Sequence, residues 1–168
     1  MDFITLEKTR YAVRDYEDKT VEDEKLQLIL EAGRIAPTAA NRQSQRICIV
    51  RKEDMDRFDG AINFHGAPMA LIVCTNTKEA WVRGYDEMNA GVIDASIVTT
   101  HMMLEATQVG LGSLWVCSFD PVKLSRVCGL KEGVIPVNVL CLGYAKNPAD
   151  TERFKNTRKA LEETILEY

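Results

Sequence analysis

Residues 104–121 read LEATQVGLGSLWVCSFDP, and this stretch decides the class of fold. Leu104, Ala106 and Val109 continue an apolar helical pattern. Gly110 then supplies the stop, because glycine takes the left-handed backbone of a helix end without steric cost. Leu114 to Phe119 is a short apolar run that fits a strand. Asp120 and Pro121 form a cap and a first-turn proline, so another helix begins there. Helix, glycine stop, strand and capped helix in succession predict a sheet with helices packed on it.

The same alternation extends in both directions. Upstream, the spacing predicts one long helix over Tyr85–Val109, apolar around most of its circumference. Such a helix is buried, either centrally or against a partner. Pro68 leads into MALIVCT, a second buried strand, and Arg46–Arg51 is another. Lys52–Ile62 reads as helical. Thr20 opens a helix that carries Leu26, Ile29, Leu30 and Gly33 at helical spacing and ends at Pro37. Phe3, Ile4 and Leu6 mark a short amphipathic start. Downstream, Val137–Gly143 is a fourth strand. The segment from Pro148 onward is charged and poor in apolar residues, so it must lie on the surface or on another chain.

Composition narrows the function. The chain has 168 residues, 46% apolar and 27% charged, which is one globular domain with its own core. Its net charge of −4 lacks the basic surplus of a duplex-binding protein, so no nucleic-acid partner is expected. No run approaches the ~20 apolar residues of a membrane span. MDFITLEKTR carries charges where a signal peptide would be apolar, so the expected location is cytoplasmic. Five widely spaced cysteines without a CxxC pair read as buried, reduced thiols, and no metal site is expected.

Three clusters carry possible chemistry. In Thr9–Tyr16, Arg10 and Arg14 project to one side if the stretch is helical, and paired guanidinium groups suit a phosphate. A solvated charged face explains the same spacing. In Ala36–Gln43, small residues would let a flat ligand approach, with Thr38, Asn41 and Gln43 as polar contacts. A polar connecting loop is the other reading. In Gly110–Val116, the glycines serve either a tight turn or packing against a ring. No histidine is required: His101 fits a hydrogen-bonded core residue and His65 an exposed loop.

Together, Arg10-x-x-x-Arg14-x-Tyr16, Ala36-Pro37-Thr38-x-x-Asn41-x-Gln43 and Leu104-x-Ala106-x-x-x-Gly110-Leu111-Gly112-Ser113 resemble the flavin-dependent nitroreductase superfamily. Gly143-Tyr144 and Arg158-Lys159-Ala160-Leu161-Glu162-Glu163 extend the resemblance over nearly the whole chain. It implies an α+β sandwich: a central, mainly antiparallel or mixed sheet surrounded by helices, in an intertwined homodimer with shared active sites. Residues 1–168 would form one domain, with about 148–168 an arm on the partner subunit. The implied activity is hydride transfer from NADH or NADPH through FMN to a nitro compound, quinone or similar acceptor. A flavin-binding or sensory protein with little turnover is the alternative, as is a specialised reductive enzyme of the same superfamily.

By resemblance, Arg10 would contact the FMN phosphate, with Arg158 and Lys159 closing on it. Arg14 would sit by the pyrimidine edge of the flavin, with Tyr11 and Ala12 nearby. Pro37, Thr38, Ala39, Asn41 and Gln43 would come from the other subunit, and Leu114, Trp115 and Val116 would line the ring from behind. No side chain is assigned as catalytic, because the flavin carries the chemistry. The sequence departs from the usual pattern at Tyr11, Thr38, Ser44 and His101.

Overall fold

The structure is a computed structural model that describes residues 1–167, so Tyr168, the last residue of the expected arm, lies outside the described residues. Four strands form one sheet in the order β1-β2-β4-β3, with every pairing antiparallel. They are β1 (Gln45–Arg51), β2 (Met69–Asn76), β3 (Gly112–Val116) and β4 (Val134–Gly143). The helices are α1 (Phe3–Thr9), α2 (Asp23–Ile35), α3 (Gly91–Gln108), α4 (Pro121–Val127) and the short α5 (Phe154–Thr157).

The two central strands are apolar on both sides because both faces of the sheet are covered. Alternation along each strand sorts their side chains. Ala70, Ile72, Cys74, Val139 and Cys141 join Leu114, Val116, Phe58, Phe64 and Leu124 on the α4 face. Met69, Leu71, Val73, Leu140 and Leu142 meet Leu26 and Ile29 of α2 and Val98, Met102 and Ala106 of α3 on the other. Helices α2 and α3 approach closely at Gly33, where an added Cβ would stand 2.8 Å from Met102 Cγ. Pro136 has no N–H to donate, and it sits where the β2–β4 register shifts by one residue, next to the unpaired Val137.

Several boundaries differ from the expectation. Helix α2 starts at Asp23 rather than Thr20, with Glu22 at the cap position. The Glu22 carboxylate makes no capping bond, because the Tyr144 hydroxyl donates to it at 2.7–2.8 Å. Helix α3 starts at Gly91 rather than near Tyr85. There Arg83 pairs with Asp86, and Asn89 Oδ1 accepts the Gly91 N–H at 2.9 Å, so local side-chain bonds compete with the helix. Lys52–Phe58 is a 3-10 turn.

The side of α3 away from the sheet is open in this single chain: Val92 is 51% and Ile93 50% exposed. Helix α1 buries none of its residues, with Phe3 61% exposed. His101 is half-buried on α3 and has no hydrogen bond among the described residues, so it is not the satisfied core histidine expected. All five cysteines are free, but only Cys74 and Cys141 are buried, and Cys117 is exposed. Burial pushes the Cys141 thiol up to about 12. No helix among the described residues is long and apolar enough to cross a membrane.

Candidate functional site

Arg10 caps the C-terminus of α1 in extended conformation, and the chain runs on as a strand-like segment rather than the expected helix. The Val13 N–H donates to Ser113 O at 2.9 Å and the Glu17 N–H to Tyr144 O at 2.8 Å, so the sheet captures the segment. The apolar anchors decide this outcome: Val13 and Tyr16 are buried against the α4-face core. Arg14 is therefore exposed on an extended chain, and its guanidinium makes only a 3.4 Å contact to Ala12 O.

A cleft of about 380 Å³ lies between this segment and the turn after α3, lined by Thr9–Tyr11, Gly110–Ser113 and Tyr144–Ala145, with Asn147–Ala149 at its rim. Gly110 has φ 81°, the left-handed stop expected of it. A Cβ on Gly112 would stand 2.7 Å from Val13 Cγ2, so only glycine lets the Arg10–Arg14 segment lie against β3. The Tyr11 hydroxyl donates to Asn147 O across the cleft. The Ser113 hydroxyl is buried beside it without a hydrogen-bond partner among the described residues.

Cations gather at this cleft. Arg153 donates to Lys8 O at 2.9 Å and also to Arg10 O. Arg153 and Arg158 both lie over the Phe154 ring, at 4.1 Å and 5.0 Å. Burial first, then the neighbouring charges of Arg153 and Arg158, shift the Arg10 guanidinium below its ordinary value, with Glu7 opposing. Among the described residues none of the three arginines forms an ion pair. Arg10 and Arg153 are half-buried and Arg158 is exposed, and with Glu7 as the opposing carboxylate the group is still net positive, which suits an anion. Arg153 went unnoticed in the sequence, since it lies in a tail without periodicity. Lys159 is exposed nearby in the chain.

The Ala36–Gln43 loop is strained. Ala40, Asn41 and Gln43 all have φ near +50°, a region that non-glycine residues rarely adopt. Two side chains hold it there. Thr38 Oγ1 accepts the Gln43 N–H at 3.1 Å, and Asp94 Oδ1 accepts the Ala39 N–H at 2.8 Å. Asp94 is 1% exposed, and its second oxygen has no partner among the described residues. The available signal for Asp94 was a carboxylate set among the apolar residues of a buried helix. Pro37, Asn41 and Gln43 are exposed, while Thr38 and Ala39 are half-buried.

On β3, Leu114 and Val116 point into the α4-face core, which leaves only their backbone for a ligand. Trp115 is half-buried, and its indole N–H donates to Cys117 Sγ at 3.2 Å. One chain does not bring all the candidates together. The strained loop is tied to Asp94 in the first turn of α3, whereas Arg10 gathers with Gly110 beyond its last turn. At 1.5 Å per residue these points are ~24 Å apart. A wider groove of about 670 Å³ between α2 and β1, lined by Leu28, Arg34, Arg46 and Ile47, contains none of the candidates. No group of three or more His, Cys, Asp or Glu among the described residues could hold a metal ion.

The model of the Nitroreductase family matches residues 8–63 and 60–144. An NADH dehydrogenase/NAD(P)H nitroreductase of Methanothermobacter thermautotrophicus is 31% identical, over 96% of this chain and 87% of that protein. An FMN reductase [NAD(P)H] of Bacillus subtilis is 25% identical, over 83% of this chain and 63% of that protein. The crystal structure of a nitroreductase family protein from Clostridium difficile 630 superposes with a TM-score of 0.95 at 42% identity, covering 99% of this chain and 98% of that one.

Proposed function

The chain belongs to the nitroreductase family, and from that premise we propose that it is an FMN-dependent oxidoreductase that takes hydride from NADH or NADPH. The acceptor is an electron-poor small molecule, a nitro compound or a quinone. The observation that carries this reading is the arginine set, without an ion pair among the described residues, that gathers around Arg10 at the glycine-lined cleft. Arg10, Arg153 and Arg158 fit a phosphate monoester, and Gly110 and Gly112 keep the adjoining backbone free of side chains. FMN, when bound, supplies two-electron transfer at its ring.

The protein's part is to bind, orient and tune. Arg10 and Arg158 hold the phosphate through charge-assisted bonds, and Arg153 fixes the Arg10 backbone from behind. Arg14, exposed and unpaired among the described residues, offers a fixed cation to the ring edge where negative charge grows on reduction. The Thr38–Gln43 loop presents preorganised polar atoms, held by Asp94 before any ligand arrives. Its distance from Arg10 in one chain supports a homodimer in which each site takes Arg10 from one copy and Asn41 from the other. Val92, Ile93 and Phe3 are the apolar surface such a partner would cover. Residues 148–168 would be the arm that reaches it, with Leu161 69% and Leu166 81% exposed in the single chain.

An absorption spectrum of the freshly purified protein, followed by titration with FMN, tests the reading. A flavin spectrum and acceptor-dependent oxidation of NADH or NADPH are expected. Protein that is colourless and stays apo with added FMN overturns it.

A further inference from the structure

The cysteines stand apart from the flavin reading, and three of them meet on the α4 face of the sheet. Cys48 lies on the edge strand β1, opposite Ile72, which makes Cys74 its diagonal neighbour on β2. Cys128 ends α4 and packs against the same core cluster. Cys48 and Cys128 together line a recess of about 210 Å³ with Asp54, Arg57, Phe58 and Val127. Both are half-buried, so solvent reaches them, whereas Cys74 is fully buried.

The electrostatics divide the roles. Contact with the Cys128 thiol, and then with the Cys74 thiol, holds Cys48 below the ordinary thiol range, with burial opposing. Contact with Cys48 and burial push Cys128 up, while the Arg57 guanidinium in the recess acts the other way. The thiolate is the nucleophile, and Cys48 and Cys128 are the two of these thiols that solvent reaches in the recess. The shared recess points to Cys128 as the partner of Cys48. A disulfide needs Cα atoms ~4.4–6.8 Å apart, and diagonal positions on neighbouring antiparallel strands are ~7–8 Å apart. Cys74 also cannot leave the core. Cys128 is followed by Gly129 at φ 62°, where the chain turns out of α4.

We propose that Cys48 and Cys128 are a peroxide-reactive dithiol that closes into a disulfide across this recess. The Cys48 thiolate attacks one oxygen of hydrogen peroxide. The O–O bond breaks, Cys48 becomes a sulfenic acid, and the departing hydroxide takes a proton to form water. Cys128 then gives up its proton and attacks the Cys48 sulfur. The S–O bond breaks, a second water leaves and the S–S bond forms. Two thiols are oxidised and one peroxide is reduced to two waters.

The test uses the whole protein. It is treated with hydrogen peroxide, blocked with N-ethylmaleimide, digested without reductant and mapped by mass spectrometry. A linked Cys48–Cys128 peptide pair that dithiothreitol separates is expected, with Cys74 and Cys141 still free. Cys128→Ser should leave Cys48 as a sulfenic acid that dimedone traps, with no linked pair. The proposal is overturned if Cys48 and Cys128 remain alkylatable while exposed Cys117 is oxidised. It is equally overturned if Cys48 links to Cys74, or if Cys48 oxidises to the sulfinic acid without linking in the unaltered protein.

Discussion

Asp94 Oδ1 accepts the Ala39 N–H at 2.8 Å, and through that bond the first turn of α3 holds a loop with three left-handed non-glycine residues. Such backbone costs of order 1–3 kcal/mol per residue and persists only where the surroundings over-determine it. A buried carboxylate is a strong acceptor, and its place on the long helix ties the loop to the core.

Asp94→Ala should therefore release the loop. Loss of the buried acceptor leaves the Ala39 N–H unsatisfied, at a cost of ~1–3 kcal/mol. A lower thermal midpoint and faster proteolysis between Ala39 and Gln43 are expected. Unchanged cleavage in that loop would show that Thr38 alone fixes it.

Arg10→Ala should weaken FMN retention by ~1.5–3 kcal/mol, the worth of hydrogen bonds to a charged group, or roughly ten- to hundredfold. Arg153→Ala should act in the same direction through the Arg10 carbonyl it holds. FMN titration followed by fluorescence measures both. Equal affinity in the Arg10 variant would remove it from the phosphate site.

Gly112→Ala should be costly where an ordinary surface glycine would not be. Its Cβ would stand 2.7 Å from Val13 Cγ2 and 3.1 Å from Ala145 Cβ. Overpacking of this kind costs ~1–3 kcal/mol. Val13→Ala in the same chain should recover part of the loss, which a double-mutant cycle in urea would measure.

Dilution should release FMN if Arg10 and Asn41 of one site belong to different copies. Sedimentation together with flavin fluorescence should then show dissociation and cofactor loss at the same concentration. A monomer that keeps FMN would refute the shared site.

Acid should weaken the start of α4. The Lys123 N–H, first, and the Val122 N–H bond to the Asp120 carboxylate and depress its pKa. A depressed carboxylate adds stability above its unfolded value of ~3.9, and this is lost as pH falls through the lower folded value. Asp120→Asn should flatten that acid limb in denaturant melts taken from pH 5 downward.

All four strands were legible, though β3 runs over Gly112–Val116 rather than Leu114–Phe119 and β4 begins at Val134 rather than Val137. Met69–Cys74 is an uninterrupted apolar run and Val137–Gly143 is broken only at Asn138, whose Oδ1 accepts from the Thr99 hydroxyl, because both faces of the central strands are covered, and that requirement is written locally. Asp120-Pro121 and Gly110 were legible for the same reason: caps and left-handed stops depend on one or two residues. The start of α3 was not, because Asp86 and Asn89 spend their side chains on local backbone rather than on the helix.

The sequence by itself determined the strands, most helices, the family and the residue types that would meet a flavin. Only the tertiary structure decided their arrangement. Val13 and Tyr16, drawn into the core, pulled the Arg10–Arg14 segment out of helix and onto the edge of the sheet. Arg153 met Arg10, and Asp94 met Ala39, across 143 and 55 residues of chain. Contacts of that range leave no periodicity to read, because they depend on where whole elements pack rather than on any neighbour in sequence.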